Sequence, residues 1–299
     1  MTPRRLHSNI LHWYKRHERP LPWRHTNDPY HILLSEVMAQ QTQVSRVAIF
    51  YSAWLKEFPN WRSLAQASTG TVLRKWSGLG YNNRALRLHA LARTVMRKYA
   101  GALPKSIEKL LELPGIGRYT AHAVACFAFG AHVSLVDINI RRVLTRIFSA
   151  VRSSSDLKSE KEAWALADSL LPRRVASIWN QALMDLGAQI CIAHKPRCFD
   201  CPLKRECASA FSSVFKKKEP SEKKKEPSFK GIPRRIYRGK ILKALHDRPL
   251  TSWQIGLRIV HKFQPHDLRW IDGILQKMED DALITIRGSG DRKKVSIAR

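Results

Sequence analysis

Up to about residue 211 the apolar positions recur at three- and four-residue spacing, the period of helices packed on one face. Asp28-Pro29 reads as an N-cap followed by Pro at the first helical position, and a helix then runs through Ile32, Leu33, Val37 and Met38. Further helical segments are predicted around Val44–Phe58, Thr71–Ser77, Arg84–Tyr99, Ile107–Leu111, Thr120–Phe129, Asn139–Phe148, Lys161–Leu170 and Ala176–Leu186. Val and Ile do not gather in alternating runs, so no substantial sheet is expected here.

The pattern breaks near residue 212. Ser212 to Pro233 reads SSVFKKKEPSEKKKEPSFKGIP, poor in apolar residues and rich in Lys, Glu, Pro and Ser. Such a stretch reads as a flexible basic linker, either a solvated tether or an added phosphate contact. Beyond it Arg235–His246 is amphipathic, Thr251 can cap a helix through Ile255 and Ile259, and Asp267 can cap one through Ile271, Leu275 and Met278. Ala282–Arg287, the turn Gly288-Ser289-Gly290-Asp291 and Arg292–Ala298 then read as strand, turn, strand. Three helices and a hairpin resemble a winged-helix module. The expected organisation is therefore an all-α region over 1–211, a linker over 212–233 and a winged-helix-like α+β domain over 234–299.

A chain of 299 residues can bury such cores without disulfides. Its 53 Lys+Arg against 24 Asp+Glu, net +29, point to a polyanionic partner. No apolar run reaches the roughly 18 residues of a membrane span, and Met1–His7 leads into no secretory h-region. Five cysteines do not make a disulfide scaffold. The expected place is the reducing cytoplasm, on the nucleoid, and nothing demands more than a monomer.

Four motifs carry chemistry. Cys191-x6-Cys198-x2-Cys201-x5-Cys207 gathers four thiols within one short segment, dense enough for a metal centre or cluster. A structural zinc would also accept four cysteines. Cys126, between Ala125 and Phe127, reads instead as a core thiol. Leu113-Pro114-Gly115-Ile116-Gly117-Arg118-Tyr119 places a Gly-x-Gly turn before a helix, where backbone amides can meet a phosphate. An ordinary helix–helix turn would look the same, but here Gly115, Gly117 and Arg118 read as a DNA-backbone grip. Glu36, among Leu33, Leu34, Val37 and Met38, reads either as a partly buried carboxyl suited to a general acid or as a surface residue of an amphipathic helix. Asp137, before the helix Ile140–Phe148, reads as an N-cap, and an ionised carboxylate there also suits a cationic sugar intermediate.

Together these motifs resemble the helix-hairpin-helix DNA glycosylases that carry an iron–sulfur cluster. Ser35–Gln43, Leu113–Ala121 and the run NQALMDLGAQIC over 180–191 are similar to the adenine glycosylases of the MutY type. The resemblance covers residues 4 to about 211. It implies the helix-hairpin-helix glycosylase fold and a [4Fe–4S] cluster on Cys191, Cys198, Cys201 and Cys207. It implies that Glu36 protonates the departing adenine, that Asp137 stabilises the oxocarbenium-like sugar, and that Tyr119 assists. Arg19, Leu21, Trp23, Arg24, Gln41 and Thr42 would line the pocket for a flipped base, and Gln40 and Tyr81 would push into the duplex by the orphaned partner base. Endonuclease III enzymes carry a Schiff-base Lys where Tyr119 stands, so base excision by water with weak or no strand nicking is expected. The implied substrate is double-stranded DNA holding adenine opposite guanine or 8-oxoguanine.

Four departures mark this chain. Ala39 stands where the family has Leu, Asn82 where a second Tyr is common, and Ile138 where Gly is usual. The family's Nudix-like C-terminal domain is not recognisable, and the linker and winged-helix-like region take its place. Two competing readings follow. One is a glycosylase for thymine or uracil opposite guanine; the other is a non-catalytic DNA-binding protein, which would leave Glu36 and Asp137 idle.

Overall fold

A computed structural model describes residues 2–150, 158–212, 226–288 and 293–298. The core of the expected linker, 213–225, and the hairpin tip at 289–292 lie outside the described residues. By spatial proximity the chain divides into two compact units. The first comprises Met1–Leu33, Pro104–Glu112 and Ile116–Ser221; the second comprises Leu34–Leu103, Leu113–Gly115 and Glu222–Arg299.

The first unit is built from α1 (Pro3–His17), α7 (Ile107–Leu111), α8 (Arg118–Phe129), α9 (Ile138–Phe148), α10 (Glu160–Ser169) and α11 (Ala176–Gln189). Helix α1 is absent from the sequence expectation, although Leu6, Ile10, Trp13 and Tyr14 follow helical spacing and are buried. Its cationic and His-rich outer face hides that stripe. The core joins these four to Ile140 and Leu144 of α9, Trp164 of α10 and Trp179, Leu183 and Leu186 of α11. Cys126 lies in this core, and burial pushes its thiol up to about 11, as suits a packing residue.

Helix α2 (Pro29–Ala39) starts where Asp28–Pro29 predicts. Asp28 Oδ1 accepts from the amides of Tyr30 (2.8 Å) and His31 (3.1 Å), satisfying two orphan donors. The division between units falls within this helix.

The second unit contains α3 (Val44–Glu57), α4 (Trp61–Gln66), α5 (Thr69–Trp76) and α6 (Asn83–Tyr99). Helix α4 also went unpredicted, being short; Asn60 starts it with a capping box to Ser63. Trp54 and Trp76 meet edge to face at 5.3 Å inside this group.

The same unit holds α12 (Arg234–Ala244), α13 (Ser252–Ile259), α14 (Leu268–Asp280), and the antiparallel strands β3 (Ile284–Arg287) and β4 (Lys294–Ile297). Leu250 bridges to Val295, adding a third edge to the hairpin. This is the winged-helix-like order, with Ile241, Ile255, Ile271, Leu275 and Met278 at its centre. Helix α12 packs on α5, so the module clusters with 34–103.

Two details differ from the sequence expectation. The last expected linker residues form a hairpin, β1 (Ser228–Phe229) with β2 (Ile232–Pro233), and Phe229 stacks on Trp270 at 4.1 Å. Asp267 does not cap α14 through its side chain. It instead accepts from the Gln264 amide (2.9 Å) and from Lys230 Nζ (2.5 Å), tying the β1–β2 turn to the module.

The Lys230 hydrogen bond holds the Asp267 carboxyl below its ordinary value. A depressed carboxyl stabilises the fold above its unfolded pKa of about 4, and that contribution is lost as pH falls through the folded value. Wild type should therefore melt above Asp267→Asn at neutral pH, and the gap should close as melts are repeated below about pH 4. A gap independent of pH would show that the ion pair contributes nothing.

Candidate active site and cysteine loop

Asp137 is the N-cap of α9. Its Oδ1 accepts from the Ile140 amide at 2.6 Å and its Oδ2 accepts from Asn139 Nδ2 at 2.8 Å. Both oxygens are thus oriented by the first turn of the helix. Asn139 Oδ1 in turn accepts from Arg142 Nη2 at 2.8 Å. Arg142 is buried and also donates to Gly187 O (2.7 Å) and Cys191 O (2.7 Å). A hydrogen-bonded line thus runs from Asp137 along α9 to the end of α11. Tyr119, half-buried in the first turn of α8, directs its hydroxyl toward Met184 Sδ at 3.9 Å.

The segment entering Asp137 is also fixed. Asn180 of α11 is buried; its Oδ1 accepts from the Leu135 amide (3.0 Å) and its Nδ2 donates to Val133 O (2.9 Å). The approach of α9 to α11 is very close. A Cβ on Gly187 would lie 2.8 Å from Asn139 Cβ and 3.3 Å from Asn139 backbone atoms. Gly187 belongs to the 180–191 run, yet the sequence gives no reason to single it out.

Arg19 and Arg24 do not stand free in an open pocket. Both pair with the fully buried Asp185 of α11: Arg19 Nε and Nη2 reach Oδ1 at 2.8 and 2.7 Å, and Arg24 Nη2 reaches it at 2.6 Å. Arg24 Nη1 also donates to Gln181 Oε1 (2.8 Å) and Tyr14 Oη (2.6 Å). Leu21 and Trp23 sit half-buried on the turn that these arginines pin. Asp185 was missed in the sequence; an acid between Met184 and Leu186 was the available signal.

In the second unit Glu36 is half-buried on α2, between buried Leu34, Ser35, Val37 and Met38. Gln40, Gln41 and Thr42 follow the end of the helix. Arg84, which sequence reasoning overlooked, organises them. Its Nη1 donates to Val37 O (2.9 Å), Met38 O (2.8 Å) and Gln40 O (2.7 Å), the open carbonyls of a helix C-terminus. Its Nη2 donates to Thr42 Oγ1 (3.0 Å) and Gly80 O (3.1 Å). Burial pulls its pKa down to about 10, so it stays cationic at neutral pH. Gln41 (φ 55°) and Tyr81 (φ 49°) hold left-handed backbone. Such strain costs about 1–3 kcal/mol per non-Gly residue and concentrates where function needs it. Tyr81 is 59% exposed, and Arg84 lies under its ring at 5.4 Å.

The turn between α7 and α8 has the expected build. Gly115 adopts φ 81°, which an L side chain would resist. Gly117 is the N-cap of α8 and brings no capping side chain, leaving the helix N-terminus to an outside acceptor. Arg118 is exposed and lies over the Trp164 ring at 3.9 Å.

Cys191, Cys198, Cys201 and Cys207 all line one small pocket, with Arg146, Pro196 and Lys204 at its wall. Arg146 of α9 donates to Ile192 O (2.7 Å) and Ala193 O (2.9 Å), and Cys207 Sγ donates to Arg146 O (3.1 Å). Burial pushes the Cys201 thiol up to about 12 and raises that of Cys207. Among the described residues, no three His, Cys, Asp or Glu side chains converge on one ion position.

Residues 34–169 match the family described as HhH-GPD superfamily base excision DNA repair protein. An adenine DNA glycosylase of Mycolicibacterium smegmatis is 37% identical over 294 residues, 94% of this chain and 96% of the relative. The chain belongs to the adenine DNA glycosylase family. The mycobacterial member leaves so little of this chain unmatched that its likeness extends into the C-terminal module. Human adenine DNA glycosylase is 38% identical over 208 residues, covering 67% of this chain and 38% of its own length. A solved thermostable thymine-DNA glycosylase has a similar fold, with a TM-score of 0.64 and 32% identity over 71% of this chain and 96% of that one. The all-α glycosylase fold read from the motifs is thus the fold of the family.

The close approach at Gly187 gives a direct test. Gly187→Ala should overpack α9 against α11 and lower stability by about 1–3 kcal/mol in chemical denaturation. Adding Asn139→Gly removes the nearest clashing atom, so the double variant should lose less than the sum of the two single losses. Equal stability of Gly187→Ala and wild type would show that the two helices are not held as described.

Proposed function

We propose that the chain is a monofunctional DNA glycosylase of base excision repair, hydrolysing the N-glycosidic bond of adenine mispaired with guanine or 8-oxoguanine. The observation that carries this reading is the match to an adenine DNA glycosylase over nearly the whole of both chains. The residue geometry supports it. A base inside the stack is out of reach, so adenine must be extruded. Gln40 and Tyr81, on Arg84-braced loops, suit the filling of the gap, and Gln41 and Thr42 suit contact with the extruded base. Arg19, Leu21, Trp23 and Arg24, pinned to Asp185, suit a rigid wall for the extruded base.

Glu36 protonates the leaving adenine. Asp137, held by the Ile140 amide and Asn139, faces the positive charge that develops on the sugar. Tyr119 offers a hydroxyl rather than an amine, so no Schiff base forms at that position and water completes the reaction. Gly115, Gly117 and Arg118 hold the phosphate backbone at the N-terminus of α8. The protein acts as a monomer on double-stranded DNA.

The four cysteines suit a [4Fe–4S] cluster. All four line one small pocket, and their spacing resembles the cluster loop of the iron–sulfur glycosylases; a structural zinc would also accept four cysteines. Cys191, Cys198, Cys201 and Cys207 would hold such a cluster through thiolate–iron bonds, which would order Cys198–Cys207 as a loop bearing Lys204 and Arg205. Iron and sulfide analysis of purified protein should return about four iron atoms per chain. Zinc in their place would overturn the assignment.

The likeness to a thymine-DNA glycosylase favours one second reading, excision of thymine or uracil opposite guanine. Single-turnover base release on duplexes with adenine opposite guanine, 8-oxoguanine, cytosine or thymine, and with thymine or uracil opposite guanine, separates the two. Adenine release that needs alkali for strand cleavage is expected, with Glu36→Gln losing at least about 100-fold in rate while still binding duplex. Release confined to thymine or uracil would replace the proposal with the second reading.

A further inference from the structure

A groove of about 1120 Å³ runs through the second unit, outside the residues assigned to bond cleavage. One wall carries Gln40, Tyr81, Arg46 and Arg87; the other is the face of α12 that bears Arg235 and Arg238. Among the described residues the acid on its lining, Asp281, is paired with Arg238 at 2.5 Å, and Glu226 is paired with Arg235. The lining thus carries Arg46, Arg84 and Arg87 on one wall and two acid-paired arginines on the other, a net cationic surface continuous with the loops expected to enter the duplex.

The charge on the C-terminal module is distributed unevenly. Helix α12 carries Arg234, Arg235, Arg238, Lys240 and Lys243 and no acid. Helix α14 occupies the usual recognition-helix position of such modules, yet it sets Asp272, Glu279 and Asp280 against Arg269 and Lys277. A duplex bears one negative charge per roughly 1.7 Å of axis, so α14 is a poor phosphate reader and α12 a good one. Gly239 sits mid-helix on the groove face of α12, where Gly is unfavourable for the helix itself. A Cβ there would meet nothing within 4 Å, so the position is open and the helix backbone can be approached closely.

We propose that α12, not α14, is the DNA-facing element of the C-terminal module, and that this groove takes the phosphate backbone of the strand opposite the excised base. The strand assignment rests on the reading of Gln40 and Tyr81 as residues that enter the duplex beside the partner base. The module thereby becomes a second wall of the binding site rather than a tethered accessory.

The test uses the full-length protein and a duplex with a stable abasic analogue opposite guanine, so that binding is read without base release. Gly239→Gln should bind like wild type, and Gly239→Glu, of nearly the same size, should bind at least about tenfold more weakly through like-charge repulsion. Arg235→Ala and Arg87→Ala should each lower the slope of log affinity against log salt by about 0.9. Arg269→Ala and Lys277→Ala on α14 should leave the slope unchanged. A benzophenone side chain at Ile236, which is 44% exposed, should cross-link to the strand opposite the abasic site.

Equal binding by the Gln and Glu variants, or a slope change confined to the α14 pair, would overturn the proposal. Cross-linking to the abasic strand alone would overturn the strand assignment. Loss of binding in Gly239→Glu, in a protein whose wild type releases no base from any duplex, would sink the glycosylase reading while supporting the groove.

Discussion

The first unit depends on one constraint, the open carbonyls at and just beyond the C-terminus of α11, of which Gly187 O is buried. The last turn of any helix leaves carbonyls without partners, and burying one unpaired costs about 1–3 kcal/mol. Arg142 solves this from α9 by donating to Gly187 O and Cys191 O. The solution requires α9 to lie almost in backbone contact with α11, which only Gly187 permits. Once α9 is there, Asn139 and Asp137 are fixed at its start, and Arg146, one turn further along, reaches the carbonyls that lead into the cysteine loop. Asp137 and the chain leading into the cysteine loop are thus held from one helix registered against another.

The second unit meets the same problem in the same way. Arg84 closes the C-terminus of α2 and, with its other nitrogen, ties Thr42 and the Gly80 carbonyl to it. A planar guanidinium offers five donors in a fixed fork, which a lysine ammonium does not. In a chain of net charge +29 it is natural to assign arginine to the phosphate backbone. Arg24, Arg84, Arg142 and Arg146 are instead spent inside the protein, three of them on helix ends or the chain just beyond and Arg24 on Asp185. Fewer cations are accordingly left at the surface than the composition suggests.

The C-terminal module shows how far pattern reading extends. Its three helices and hairpin were legible because Thr251 caps in sequence register and because Ile and Leu follow helical spacing. The β1–β2 hairpin was not, since Phe229 gains its meaning only by stacking on Trp270, some forty residues later. Asp267 was read as a helix cap from its position, but Lys230 competes for the same carboxylate and wins by charge.

Sequence alone determined the helical class, the glycine turn before α8, the dense cysteine spacing, and the candidacy of Glu36 and Asp137. These are local properties, set by period, capping chemistry and residue type within one or two turns. Helix α1 obeyed the same rules and was lost only because its exposed face is so cationic. Only the tertiary structure decided that Asp185 anchors Arg19 and Arg24, that Asn180 braces the segment before Asp137, that Gly187 sets the spacing of α9, and that Arg84 closes α2. Each of those roles is a pairing between residues far apart in the chain. A buried donor finds its acceptor through packing, and packing has no signature in a window of neighbouring residues.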